Sequence, residues 1–274
     1  MTSSPTMQAL VLHAPGDLRV EEVEVPSPGP GELLLQVETV GICGTDSSEY
    51  RHGPKLFPLE QRHPVTGHLG PMIPGHEFSG RVVAVGAGVE GFTAGELVAS
   101  AGSTACGTCH MCRSGRPSRC DRYWAVGLQR DGALADYCTA PANACLGVES
   151  AGLSPDVAAL AQPMSIAVHA LRRARVTGGE EVVVIGAGGI GAFVTYAAAS
   201  AGCSVVTVDL DRDRLAVAAA LGAGTTISVD SDRAAGWAAH VVLEISGTES
   251  GLRTALGMLA PGGRLVSVGF QKQP

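Results

Sequence analysis

Short apolar or alternating segments, separated by proline and glycine, occupy the first part of the chain. Alternation of apolar and polar positions is the pattern of a strand with one buried face. The candidate strands are residues 9–13, 18–23, 32–40, 78–85 and 97–100. Strands at this density, with no helices between them, predict a small barrel or sandwich over residues 8–150.

The pattern changes near residue 154, where Ser-Pro-Asp supplies the chemistry of a helix start and predicts a helix over 157–175. From Glu181 onward apolar runs alternate with helical stretches, which predicts a doubly wound parallel sheet and an α/β fold class. The candidate strands are 181–185, 204–209, 225–229, 240–246 and 264–270, with helices near 190–201, 211–221 and 249–259, the last ended by Pro261-Gly262-Gly263. We therefore expect two domains, residues 1–153 and 154–274.

A glycine-rich turn follows the first of these strands. It consists of Gly186, Gly188, Gly189, Ile190 and Gly191 and reads Gly-x-Gly-x-x-Gly. Gly186 permits the turn, Gly188 lets the backbone approach a pyrophosphate, and Gly191 lets the helix lie close to the strand. Asp209 ends the next strand, where a carboxylate accepts the ribose hydroxyls of NAD and repels the 2′-phosphate of NADP. The pattern predicts an NAD site, and the alternative is a merely tight strand-helix turn.

Composition and charge narrow the class of protein. The chain has 274 residues, 45% of them apolar, and a net charge of −7. That charge argues against binding to nucleic acid or to an anionic membrane. Neither a leader-like segment at the start nor a window of membrane-spanning length is present, so we expect a soluble cytoplasmic protein.

Four of the eight cysteines are clustered at ligand spacing. They are Cys106, Cys109, Cys112 and Cys120. Four thiolates this close can complete a tetrahedral shell around one zinc ion with no open position, which makes a structural site. An iron–sulfur cluster and a pair of disulfides are the alternatives, and the cytoplasmic character of the chain favours a metal over disulfides.

A second set of possible metal ligands is dispersed along the chain. Cys43-Gly-Thr45-Asp46 follows a strand, Gly-His76-Glu77 precedes one, and Gln162 lies in the linking helix. Taken singly, these are a buried thiol, a loop histidine and a polar helix position. In this order, together with the cysteine loop and the glycine turn, they resemble the zinc-dependent medium-chain alcohol dehydrogenases, and most of all the polyol branch with its sorbitol and butanediol dehydrogenases. The resemblance covers essentially the whole chain.

The resemblance implies an N-terminal GroES-like catalytic domain, a Rossmann domain, and a catalytic zinc. Cys43, His76 and Gln162 would be its ligands, Glu77 an alternating or supporting carboxylate, and Asp46 the residue that orients His76. Where the polyol branch has a glutamate this chain has Gln162, whose neutral amide oxygen donates less charge to the metal.

Further roles follow from the same resemblance. Thr45 would take the proton of the bound alcohol, and Ser48 stands where a histidine usually completes the proton relay, so that the relay would need water beyond it. Arg214 would hold the adenosine ribose, and Val268 would line the nicotinamide pocket. The final strand and the return segment expected in such families are absent from this sequence, which would leave the strand near 264–270 at an unpaired edge.

The expected activity is hydride transfer between NAD and a secondary alcohol, namely a polyol, a vicinal diol or a cyclitol, with the ketone as product. Zinc would lower the pKa of the bound alcohol and the cofactor would take the hydride. The expected assembly is a homodimer or homotetramer whose partner is otherwise a small alcohol or ketone. Two alternatives remain: a biosynthetic relative with an altered metal site and a non-standard NAD-assisted reaction, and a cofactor-binding homologue without turnover.

Overall fold

The computed structural model describes residues 5–230 and 236–270. The chain divides into two compact units, one that extends to Gln162 and one that begins at Pro163. This division lies within a helix and falls later in the sequence than the predicted boundary at residues 153/154.

The first unit is built from antiparallel strands, as the alternating pattern predicts. All five predicted strands form, and four short strands accompany them. The strands are β1 Thr6–Ala14, β2 Asp17–Glu24, β3 Glu32–Gly41, β4 Glu77–Val85, β5 Leu97–Ser100, β6 Ser103–Thr104, β7 Trp124–Ala125, β8 Tyr137–Pro141 and β9 Cys145–Gly147. The main sheet has the order β8-β3-β4-β5-β9, while β1 pairs with β2 and β6 pairs with β7. The predicted strands are thereby confirmed, whereas the helix at Gly44–His52 between β3 and β4 was not predicted.

The core of this unit lies on the main sheet. Leu33 and Leu35, two residues apart on β3, share a face and join Phe78 and Val82 of β4 and Val98 of β5 in one buried cluster. Because β3 and β4 are central strands, their alternate residues hold the sheet together and fix its register. The ends of these two strands are therefore placed firmly against each other.

Helices in this unit are short. They are α1 Gly44–His52, α2 His110–Arg113 and α3 Pro155–Ala159, and α4 Ala161–Arg173 follows across the division between the units. The prediction of one helix over 157–175 is wrong, since the helix is interrupted at Leu160. Pro163 has no N–H to donate to the carbonyl of Ala159, and its ring would clash with that carbonyl, so a proline fits only in the first turn of a new helix.

The second unit is a parallel sheet with helices between its strands. The strands are β10 Glu181–Ile185, β11 Ser204–Asp209, β12 Thr225–Ser228, β13 Ala239–Glu244 and β14 Leu259–Ser267, and the helices are α5 Gly189–Ser200, α6 Arg212–Ala220 and α7 Glu249–Gly257. The strand order is β12-β11-β10-β13-β14. Strands are added on one side of β10 up to β12 and on its other side from β13 onward. In such sheets ligands bind beyond the carboxyl ends of the strands at this switch point.

The central strand shows why its sequence is a continuous apolar run. Val182 and Val184 pack into one buried cluster, and Val183 and Ile185 pack into another on the opposite face. Both faces of a parallel sheet are covered, so alternation of polar residues is lost. These apolar runs are strands; among the residues that the structure describes, no helix has the length and apolarity needed to cross a membrane.

The last strand begins earlier than predicted. Helix α7 ends at Gly257 and β14 starts at Leu259, whereas the sequence predicts a strand over 264–270. The pairing of β14 with β13 shifts register between Leu259 and Arg264, and Pro261 lies in the interrupted part of the ladder. Proline and glycine are tolerated in a strand where ladder hydrogen bonds are missing, so they mark an irregularity here and not the end of the helix.

Candidate metal centre and cofactor turn

Helix α1 begins at one of the predicted metal ligands. Cys43 is its N-cap residue, and the carboxylate of Asp46, in the first turn, accepts a hydrogen bond from the Cys43 backbone N–H at 2.8 Å. The Thr45 hydroxyl lies 3.8 Å from the Cys43 Sγ. An acceptor in the first turn satisfies a backbone donor that a helix start leaves unpaired. The helix start therefore fixes the backbone that carries the thiol.

The histidine and glutamate of the predicted site stand at the start of β4. Glu77 is paired across the sheet with Gly41 at the end of β3, just before Cys43. A Cβ at Gly41 would lie 2.8 Å from Glu77 Oε2, so a side chain at this position would push the carboxylate away from its present place. The β3–β4 register is thus what brings the two separate sequence motifs together.

The ligand atoms of Cys43, His76 and Glu77 all lie within 4.8 Å of one another. His76 is 5% exposed, and its Nδ1 is 3.6 Å from Asp46 Oδ1. In the described part of the chain neither atom has a hydrogen-bond partner, although both are buried. Burial lowers the pKa of His76, but the neighbouring Asp46 and Cys43 side chains raise it, with a resulting pKa of about 10. The Asp46 and Cys43 side chains therefore favour a positive charge beside them, which a proton on His76 or a bound metal ion would supply.

Gln162 lies close to the same histidine. A Cβ at Gly102 would be 3.5 Å from His76 Cβ and 3.6 Å from Gln162 Cγ, so both side chains border the Cα of this glycine. Gly102 has a φ of 70°, a conformation that favours glycine. Ser48 is half-buried and lies one turn after Thr45 on α1, so the two hydroxyl residues share a helix face.

The four clustered cysteines converge as predicted, with all their ligand atoms within 4.8 Å of one another. Cys109 and Cys112 Sγ are 3.5 Å apart, and Cys109 and Cys120 Sγ are 3.9 Å apart. These distances exceed an S–S bond of about 2 Å, and all four cysteines are free. The backbone N–H of Thr108 lowers the pKa of Cys106 to about 6, whereas desolvation and the neighbouring sulfurs raise the pKa of Cys112 to about 12. The convergence of the four sulfurs is therefore what indicates a metal site.

The glycine turn has the geometry that its sequence predicts. Gly186 has a φ of 98°, and a Cβ at Gly191 would overlap the Gly186 carbonyl oxygen, so the helix approaches the strand as closely as backbone allows. Gly188 is the N-cap residue of α5, whose first turn contains Gly189 and Ile190. This places a helix N-terminus, with its unpaired N–H groups, at the end of β10.

The predicted ribose ligand lies beside this turn. Asp209 Oδ2 accepts a hydrogen bond from the Ala187 N–H at 2.6 Å, and Oδ1 accepts one from the Asp211 N–H at 2.8 Å. A Cβ at Gly188 would lie 4.0 Å from an Arg214 guanidinium nitrogen. The turn, the acid and the arginine therefore form one cluster, and two backbone donors hold the acid in place.

One buried residue at this edge of the sheet has no counterpart in the predictions. Glu244 ends β13 and is completely buried, and its backbone carbonyl accepts a hydrogen bond from the Val268 N–H at 2.8 Å. The signal in the sequence was a single acid at the end of an apolar strand. Val268 is half-buried and lies just after β14.

Comparison with known proteins agrees with this arrangement. The profile described as "Alcohol dehydrogenase GroES-like domain" matches residues 29–150, and the profile "Zinc-binding dehydrogenase" matches residues 189–274. The chain is 36% identical, over 96% of its length and 76% of the relative's, to the erythritol/L-threitol dehydrogenase of Mycolicibacterium smegmatis. The chain belongs to the zinc-binding medium-chain alcohol dehydrogenases.

Solved structures of zinc-binding medium-chain alcohol dehydrogenases share the fold. The 2R,3R-butanediol dehydrogenase of Bacillus subtilis is 30% identical with a TM-score of 0.85, and the match covers 96% of this chain and 77% of that one. The acetophenone reductase of Geotrichum candidum, solved in complex with NAD, is 27% identical with a TM-score of 0.83, covering 98% and 77%.

Membership of this family confirms several predictions. The GroES-like and Rossmann architecture, the class of zinc-dependent alcohol or polyol oxidoreductase, and zinc with a nicotinamide dinucleotide as cofactors are confirmed; solved relatives hold NAD in one case and NADP in another. The alternatives of a non-standard NAD-assisted reaction and of a non-catalytic homologue are not favoured. These comparisons assign no role to an individual residue.

Proposed function

We propose that this chain oxidises a secondary hydroxyl of a polyol, vicinal diol or cyclitol to the ketone, with NAD as hydride acceptor. The observation that carries the proposal is the convergence of Cys43, His76 and Glu77 within 4.8 Å at the meeting of β3, α1 and β4. The names of the relatives point to substrates in which the reacting carbon has a hydroxyl neighbour, since they include erythritol, L-threitol and 2R,3R-butanediol.

The donor set fits zinc. A thiolate, an imidazole and a carboxylate are ligands that zinc accepts in catalytic sites, and the buried, unpartnered His76 and Asp46 atoms favour a nearby cation. We assign Cys43 and His76 as ligands, Glu77 as the alternating carboxylate, and Gln162 as a neutral oxygen donor. We assign the four-cysteine loop to a structural zinc. Zinc at the first site supplies a Lewis acid that makes a substrate hydroxyl more acidic.

Two residues of α1 would transfer the proton that the substrate hydroxyl loses. The Thr45 hydroxyl, fixed 3.8 Å from the Cys43 Sγ, is placed to accept the proton that the substrate hydroxyl loses. Ser48, one turn further along α1, can pass it on to water. The hydrogen on the same carbon leaves with its electron pair for NAD, so the products are ketone, NADH and one proton.

The cofactor is held by the second unit. The N-terminus of α5 would hold the pyrophosphate, and the Asp209 carboxylate would accept the ribose hydroxyls. Arg214, beside Gly188, would support the adenosine end, and Val268 would border the nicotinamide. A 2′-phosphate would meet the charge of Asp209, so we propose a preference for NAD over NADP.

The test is zinc analysis together with NADH formation on a panel of erythritol, L-threitol, sorbitol and 2,3-butanediol. We expect about two zinc ions per chain and NADH formation on at least one alcohol. Cys43→Ser should abolish turnover and remove one zinc, whereas Cys203→Ser makes the same chemical change outside both ligand clusters and should leave both values intact. Full zinc without NADH on any of the four alcohols would overturn the proposal.

Two further assignments belong to the same proposal. We assign a homodimer or homotetramer, which light scattering during size-exclusion chromatography would measure. We assign a cytoplasmic location because the free cysteines at ligand spacing and the net charge of −7 suit a reducing compartment and a small-molecule substrate. Fractionation of cells that produce the protein would test this.

A further inference from the structure

Glu244 is a fully buried acid that the proposed chemistry does not use. It is the last residue of β13, at the carboxyl end of the parallel sheet. No lysine, arginine or histidine forms an ion pair with it among residues 5–230 and 236–270. Burial of a carboxyl group is unfavourable unless hydrogen bonds within the protein replace those it made with water. The groups that bond to Glu244 therefore explain why an acid is accommodated here.

Its partners belong to two separate segments. Ser246 donates its hydroxyl to Glu244 Oε1 at 2.6 Å, and the Gly247 N–H donates to the same oxygen at 3.1 Å. On the other side the Ser267 hydroxyl, at the end of β14, approaches Oε2 at 3.5 Å. The carboxyl group thus connects the loop after β13 to the end of β14.

These two segments pack backbone against backbone. A Cβ at Gly247 would overlap the Phe270 carbonyl, and a Cβ at Gly269 would overlap the Gly247 nitrogen. Glu244 adds its backbone carbonyl, which accepts from the Val268 N–H at 2.8 Å and the Gly269 N–H at 3.2 Å. The backbone carbonyl of Glu244 thus holds the Val268–Gly269 segment, and its carboxyl group bonds the residues on either side of that contact, while the Val268 side chain packs against an apolar cluster of the sheet.

The same loop also reaches the glycine turn. A Cβ at Gly186 would lie 2.9 Å from the Ser246 nitrogen and 3.2 Å from Ser246 Cβ. Ser246 is therefore in contact with the turn on one side and bonded to Glu244 on the other. A shift of this loop would move the segment that carries Val268 relative to the turn.

We infer that Glu244 is a positioning residue for the cofactor, which sets the 245–248 loop and the Val268–Gly269 segment so that the nicotinamide half of NAD is bound in register with the pyrophosphate held at the glycine turn. The inference rests on the NAD site proposed above. It adds that the two halves of the cofactor depend on different residues: the adenosine half on Asp209, and the nicotinamide half on a carboxyl group that touches neither half.

Calorimetric titration of the zinc-loaded full chain with NAD and with ADP-ribose, which lacks the nicotinamide, separates the two halves. Glu244→Ala should weaken NAD binding by about tenfold, since it removes the buried hydrogen bonds of the carboxyl group to Ser246, Gly247 and Ser267. ADP-ribose binding should change by less than about twofold, below the worth of one hydrogen bond. Glu244→Gln keeps an oxygen for Ser246 and Gly247 and should restore most of the NAD affinity.

Glu249→Ala is the matched control, because Glu249 is an exposed acid in the first turn of α7 and pairs only with Arg253 in the described residues. It should bind both ligands as the unaltered chain does. Should Glu244→Ala fail to fold by circular dichroism, Ser246→Ala, which removes one of the bonds, carries the same comparison. Equal losses for NAD and ADP-ribose, or no loss for either, would overturn the inference. If the unaltered chain binds neither ligand, the NAD site itself is refuted.

Discussion

Replacement of Asp46 tests how the candidate metal centre is organised, because this carboxylate serves two neighbours at once. Oδ2 accepts the Cys43 N–H at 2.8 Å, and Oδ1 faces His76 Nδ1 at 3.6 Å. Asp46→Asn keeps an oxygen for the Cys43 N–H but removes the negative charge beside the imidazole. Asp46→Ala removes both. The pair of variants therefore separates the helix cap from the metal site.

The two losses differ in kind and size. Loss of a carboxylate that orients a ligating histidine typically lowers metal affinity by about 10- to 100-fold, which is about 1.4 to 2.7 kcal/mol of binding free energy. Loss of the acceptor at the helix start costs about 1 to 2 kcal/mol of folding free energy. We expect Asp46→Asn to show mainly the first loss and Asp46→Ala to show both.

Competition with a zinc chelator measures the first quantity, and urea unfolding measures the second. The four-cysteine loop provides an internal reference, since its zinc should be released alike from all three proteins. If Asp46→Asn retains zinc as tightly as the unaltered chain while Asp46→Ala is merely less stable, Asp46 is a helix cap alone and the reasoning fails.

Three further predictions follow from the site geometry. Asp209→Asn should weaken NAD binding by about tenfold. It should also reduce the ratio of NAD affinity to NADP affinity, because charge repulsion with the 2′-phosphate is lost. An unchanged ratio of the two affinities would contradict this. Cys112→Ser should lower the zinc content by about one ion per chain and reduce the melting temperature, and full zinc retention would exclude the four-cysteine site. In the metal-free chain the pKa of folded His76 is raised from 6.5 to about 10, so the stability that His76 contributes is complete below about pH 6.5 and is lost as pH rises through 10. Urea unfolding of the metal-free protein should therefore show a free energy of unfolding that falls between these pH values, and Asp46→Asn should make this fall smaller.

Much of the second unit could be predicted because its signals are local. The run at Val182–Ile185 is apolar throughout as both faces of β10 are covered, and the glycines that follow mark the turn directly. The break at Leu160 was hidden, since Pro163 is compatible with the first turn of a helix as well as with a helix end. The start of β14 was misplaced because proline and glycine also occur where a ladder is interrupted.

Only part of the candidate site could be predicted from the sequence. Helix α1 has a polar sequence with no apolar repeat, so periodicity does not reveal it, although Asp46 at its first turn is a fitting cap. The closeness of Cys43 to Glu77 depends on the β3–β4 register, which pairs Gly41 with Glu77 across long sequence separation. Resemblance to a family supplied what local pattern could not. Glu244 was not predicted as a site residue because the role inferred for it depends on contacts between backbone segments that are distant in sequence.

The contact between Gly186 and Gly191 limits how this enzyme can diverge. Any side chain at Gly191 would run into a main-chain oxygen, and a main-chain atom cannot be traded for a smaller one by a compensating replacement elsewhere. Position 191 therefore accepts only glycine as long as the turn keeps this backbone. In the proposed NAD site, a change of coenzyme preference would therefore have to come from the side chains around the turn, with Asp209 and Arg214 as the candidate positions.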